Sequence, residues 1–187
     1  GAFVSEEITT YFPEDNCKIH VLAYGLTEAD HEEIGRRRSS VYDLVPYLRR
    51  KGIVHAAAHP MYPVNGRLTV DHFEKLILLF DLFELNGGVD RLQNEVLQVI
   101  LEGLTPETMA SLAALHGIAP VGDAPWKKGV TGGSDDHSGL YMANTFTEMD
   151  GERTVAGFLS VLGETGGRVR GAASCPKSFG HATCSIV

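Results

Sequence analysis

Short apolar runs at residues 3–9, 18–24, 53–58, 81–86 and 129–134 alternate with longer stretches that carry helix caps and helical periodicity. This alternation constrains the fold more than any other feature, and it predicts an α/β domain with a largely parallel sheet. Thr27, with Asp30 three residues on, opens a helix running to about Arg38. Ser40 opens a second, with Val41, Leu44, Val45 and Leu48 on one face and Gly52 behind it. Pro46 inside that stretch predicts a kink or a break. Thr69 caps a third helix, whose apolar face is Phe73, Leu76, Ile77 and Phe80. Gly87-Gly88 turns the chain into a helix near 89–102. Thr105-Pro106 opens another helix, which Gly117 closes. A further strand is expected at 144–148 and a helix near 154–163.

A chain of 187 residues, 43% hydrophobic, suits one core, and the expected division is a domain over 1–165 and a C-terminal tail over 166–187. No apolar run spans a bilayer and no secretory signal is visible, so no membrane partner is expected. The net charge of −8 argues against long nucleic acid, whose phosphates need clustered Lys and Arg. Three cysteines, without a Cys-x-x-Cys spacing, suit a reducing compartment, taken to be the cytoplasm.

Acids and histidines gather at or near the ends of the apolar runs. Gly-Gly-Ser-Asp-Asp-His-Ser-Gly (132–139) follows a strand, and Asp135 and His137, two residues apart, project to the same side. A carboxylate and a neutral imidazole so placed can share a divalent metal, although a polar Gly/Ser turn explains the run by itself about as well. His20 lies within Cys-Lys-Ile-His-Val-Leu-Ala-Tyr-Gly (17–25), and His59 ends Ile-Val-His-Ala-Ala-Ala-His-Pro (53–60), where Pro60 stops the ladder. Glu6 and Glu7 come late in the run 2–9. In parallel α/β sheets that edge is where ligands bind.

The ordered set Glu-Ile-Thr (7–9), Lys-Ile-His-Val-Leu (18–22), Ala-His-Pro (58–60) and Gly-Ser-Asp-Asp-His (133–137) resembles the polymerase and histidinol phosphatase (PHP) superfamily over roughly residues 3–165. The stretch 64–76, Val-Asn-Gly-Arg-Leu-Thr-Val-Asp-His-Phe-Glu-Lys-Leu, is similar to an uncharacterised bacterial subgroup of it. The resemblance implies a distorted (β/α)7 barrel with two or three divalent ions (zinc, manganese or iron) that hydrolyse a small phosphorylated substrate. It casts Glu7 as a bridging carboxylate, His20 and His59 as ligands of a second ion, Asp135 as a ligand of the first and His137 of a third. Glu6 is the second choice for the bridge, and Asp136, at the variable position, is expected to point away. Arg67, in the loop after Ala-His-Pro, is the candidate for holding the substrate phosphate, and a solvated loop arginine explains it about as well.

The superfamily's opening His-x-His strand and its Asp-His pair have no counterpart here. The expectation is therefore an N-terminally truncated fragment with an incomplete barrel, ahead of a divergent protein that uses fewer metals. It should bind metal weakly and hydrolyse phosphate esters poorly, with an open sheet edge that invites a homodimer or some cover. The alternative is a non-catalytic PHP-like domain that binds or supports within a larger protein. The other histidines have local roles: His55 packed or at the surface, His31 solvated, His72 and His116 at helix ends, and His181 in the tail. Cys17 reads as a core residue, and the basic runs 36–38 and 49–51 as solvated helix faces.

Overall fold

Four residues, 13–16, join the first two strands, β1 (Ser5–Phe12) and β2 (Cys17–Tyr24). That length decides their orientation. A parallel pair needs a crossover of about a dozen residues or more, whereas a short turn makes a hairpin. The strands accordingly run antiparallel, with Thr9 opposite His20 and Glu7 opposite Leu22. Asn16, at a φ of 59°, closes the turn. The structure is a computed structural model that describes residues 1–175, 177, 180, 181 and 184; the rest of the C-terminal tail lies outside the described residues.

Helices α1 (Glu28–Arg37) and α2 (Val41–Arg50) lead to β3 (Val54–Ala57), which runs antiparallel to β2. Helix α3 (Val70–Leu79) then leads to β4 (Leu82–Asn86), parallel to β3. Helices α4 (Arg91–Glu102) and α5 (Pro106–His116) precede β5 (Gly129–Gly133), parallel to β4. The sheet order is β1-β2-β3-β4-β5. A separate antiparallel pair, β6 (Thr145–Glu148) and β7 (Arg168–Gly171), flanks α6 (Val155–Thr165) in sequence.

The expected largely parallel sheet and incomplete (β/α)7 barrel are therefore wrong. The sheet is mixed, and no closed barrel exists among the described residues. The strands do lie side by side in chain order; their directions differ. The hairpin reverses β1, and the α1–α2 connection returns the chain so that β3 runs against β2. Glu7, expected late in its strand, is the third residue of β1, and His20 lies mid-strand. Pro46 does not break α2, which runs through it while Leu44, Val45, Tyr47 and Leu48 are buried on its inner face. The proline removes one backbone donor, and that apolar burial outweighs the loss.

The sheet has two unequal faces. Ile8, Phe12, Cys17, Ile19, Val21 and Ala23 alternate inward beneath α1–α3 and form the main core with Phe80 and Phe83. On the other face Ala56, Leu82 and Leu162 make a smaller cluster under α6, with Leu22 and Tyr24 against it. The functional groups lie on this second face, beyond its apolar part. No helix among the described residues is long and apolar enough to cross a membrane.

Capping accounts for several helix starts, and one offers a clean test. Thr105 accepts the Thr108 N–H, and Pro106 opens α5. Thr105→Ala is expected to cost about 1 kcal/mol. In a domain of this size that lowers the melting temperature by about 2–4 °C. An unchanged melting curve would show that α5 does not depend on its cap.

Candidate metal centre

Strand register brings the first two ligands together. Glu7 faces Leu22 across the hairpin, so His20, two residues before Leu22, is its diagonal neighbour on the same face. Glu6 points to the opposite face, where its carboxylate meets His31 Nδ1 at 2.8 Å. The Glu-Glu pair is thus resolved in favour of Glu7 at the cavity. Ala58 donates its N–H to the His20 carbonyl at 3.1 Å, extending the β2–β3 ladder by one step. His59 follows, and its ring swings beside His20.

Three ligand atoms converge. Glu7 Oε1 lies 2.5 Å from His20 Nδ1, His20 Nδ1 lies 3.2 Å from His59 Nε2, and His59 Nε2 lies 3.3 Å from Glu7 Oε1. Ligand atoms about 2.0–2.1 Å from a tetrahedral zinc stand about 3.3 Å from one another. Two sides of the triangle already have that length, and the third needs to open by less than about 1 Å. Carboxylate oxygen and imidazole nitrogen are also the donors that zinc, manganese and iron accept. The residues therefore fit a divalent ion, with Glu7, His20 and His59 as its holders.

Electrostatics agree. Hydrogen bonds from His20 and then His59 hold the Glu7 carboxyl well below the usual carboxylate range, so it is charged at neutral pH. Burial pulls His59 down, but the Glu7 hydrogen bond and the charges of Glu84 and Asp135 together push it above its ordinary value. His59 Nδ1 is buried without a hydrogen-bond partner, so the polar contacts that orient this ring are all at Nε2.

The remaining groups sit on the far wall of a cavity of about 400 Å³, lined by Glu7, His20, His59, Asp135 and His137 among others. β3, β4 and β5 are parallel, so their carboxyl ends deliver His59, the turn at Gly87-Gly88 and Asp135 to one edge. Both His59 and Asp135 have positive φ, 27° and 47°. Non-glycine residues held in this way cost about 1–3 kcal/mol each and cluster at functional sites. His137 is largely exposed, and its Nδ1 donates to the Asp135 carbonyl at 3.1 Å. Asp136 turns into its own loop, accepting from Ser138 and the Tyr141 N–H, although it borders the cavity. Arg67 is not among the lining residues; its guanidinium donates to the Asp15 carbonyl at 2.6 Å in the hairpin turn.

Glu84 and Asn86 were not anticipated from sequence. Both are buried on β4, at 4% and 1% exposure. Glu84 Oε2 accepts the His59 N–H at 2.9 Å and Asn86 Nδ2 at 2.9 Å. Asn86 Nδ2 also reaches Asp135 Oδ2 at 3.2 Å. Burial pushes the Glu84 carboxyl up against those hydrogen bonds. The signal was present: Leu82, Glu84 and Asn86 share one side of a strand, and two polar side chains on a fully buried face need partners.

The other histidines are structural. His55 is half-buried, its Nδ1 donating to the Ile53 carbonyl, and desolvation lowers its pKa. His72 closes the α3 capping box with Thr69 and reaches Asp15. His116 pairs with Glu74, and His181 lies 3.1 Å from the Tyr141 hydroxyl.

No protein-family model matches this chain, and no curated protein matches it either.

Proposed function

We propose that the chain is a divalent-metal-dependent phosphoesterase domain acting on a small phosphate ester. The observation that carries this reading is the convergence of Glu7 Oε1, His20 Nδ1 and His59 Nε2 at metal-ligand spacing on the wall of a cavity. Three protein ligands with one open position suit a catalytic ion better than a closed structural one. When bound, such an ion polarises a phosphoryl oxygen and lowers the pKa of a coordinated water. Glu7 supplies the charge and the two imidazoles supply neutral nitrogen. Asp135 and His137 face the same space. Among the described residues lining the cavity are Glu7, Asp135 and Asp136 but no Lys or Arg, so a phosphate here needs a bound cation to neutralise it. The motif order resembling the PHP superfamily supports the same chemistry. We place the chain in the cytoplasm, because three cysteines without a Cys-x-x-Cys spacing suit a reducing compartment.

The test is metal uptake followed by activity. On titration with zinc or manganese, weak uptake that saturates at one ion per chain is expected. Turnover of p-nitrophenyl phosphate should be slow and metal-dependent, and it should disappear in Glu7→Gln. Metal uptake without any turnover would instead favour a binding or structural domain, and no uptake at all would remove the metal reading.

A further inference from the structure

We propose that Glu84 is a positioning residue for the metal centre, setting the place of His59 through the location of one oxygen atom rather than through its charge. The inference rests on the reading that Glu7, His20 and His59 hold an ion.

His59 stands where the chain leaves β3, at a φ of 27°, followed by Pro60. A histidine does not keep that conformation unless its surroundings impose it. Its ring is held at one end only, at Nε2 by Glu7 and His20, since Nδ1 has no hydrogen-bond partner. On the backbone, the carbonyl accepts the Tyr62 N–H at 2.8 Å within the loop, and Glu84 Oε2 holds the N–H at 2.9 Å across the β3–β4 boundary. The same oxygen accepts Asn86 Nδ2, and Asn86 Oδ1 in turn accepts the Gly88 N–H at 2.7 Å. Asn86 also reaches Asp135. One buried bracket on β4 thus ties His59 on one wall of the cavity to Asp135 on the other. The backbone makes room for it: a Cβ on Gly133 would lie 2.5 Å from Glu84 Oε1. Outer groups that orient a ligand usually act on its side chain. Here the grip is on the main chain, and the imidazole follows.

Two conservative variants separate position from charge. Glu84→Gln keeps an acceptor oxygen in place and loses the charge. Glu84→Asp keeps the charge and withdraws the oxygen by one methylene. Cobalt(II) titration, read by d–d absorption and by competition with a chelating dye, measures both affinity and ligand geometry. Glu84→Gln is expected to bind cobalt within about threefold of the unmutated chain, with the same band shape. Glu84→Asp is expected to weaken binding by about ten- to a hundredfold and to alter the band. The reverse order, equal losses in both variants, or normal binding in both would overturn the proposal. Failure of the unmutated chain to take up cobalt would overturn the metal reading itself, and the positioning role with it. Normal binding there with normal binding in Glu84→Asp removes the positioning role alone.

Discussion

His59→Ala is expected to weaken binding of zinc or manganese by about a hundredfold or more, and to leave the fold in place. The affinity loss follows from ligand count: the proposed centre has three candidate protein ligands, and the variant keeps only Glu7 and His20. A hundredfold corresponds to about 2.7 kcal/mol, a modest value for one of three ligands. Glu7 and His20 still share their 2.5 Å contact without His59, so the hairpin keeps its own register. The main core is on the opposite face of the sheet and does not include His59. The measurement is dye-competition affinity beside far-UV circular dichroism and a melting curve. Binding within threefold of the unmutated chain would mean that the triangle of ligand atoms is a hydrogen-bonded cluster and not a metal site.

The three members of that triangle were each legible, because each interrupts an apolar run with a group that has a known coordination chemistry. Their convergence was expected from parallel strand ends, and it arises differently. His20 is mid-strand and meets Glu7 diagonally across an antiparallel hairpin, while His59 alone leaves a strand end. The convergence of these three side chains does not depend on strand direction, since side chains on one face of neighbouring strands approach whichever way the strands run. The error was avoidable in one place. Residues 13–16 are too few for a crossover, and Asp15 and Asn16 are turn formers. It was not avoidable at β3. A pair of helices can return the chain to either end of a sheet: α1–α2 precedes an antiparallel strand, whereas α4–α5 and the loop at 117–128 precede a parallel one. Glu84 and Asn86 escaped notice for another reason. Their partners are a backbone N–H and a carboxylate just past the ends of β3 and β5, and those contacts exist only once the sheet is assembled.

Lys128 should make the stability of the fold rise with pH on the alkaline side. Its side chain is fully buried beside β5, where its ammonium donates to the Phe80 carbonyl at 2.7 Å and lies 3.6 Å from Asp81. Burial lowers its pKa from 10.5 to about 8, and the Asp81 charge offsets only part of that. At pH 7 both the folded and the unfolded chain hold the proton, and the folded state carries the cost of the buried charge. Between about pH 8 and 10.5 the folded chain has released the proton while the unfolded chain still binds it, so stability climbs. Above that window both forms are neutral and the contribution is constant. Between pH 7 and 9.5 the gain should be about 2 kcal/mol. Lys128→Met supplies the control, because it keeps the apolar stem and has no proton to lose, while other alkaline titrations affect both proteins alike. Urea unfolding at the two pH values should show the unmutated chain gaining on Lys128→Met by that amount. A difference between the two proteins that stays flat with pH would mean that the ammonium pays no burial cost, and that the Phe80 carbonyl and Asp81 compensate its charge in full.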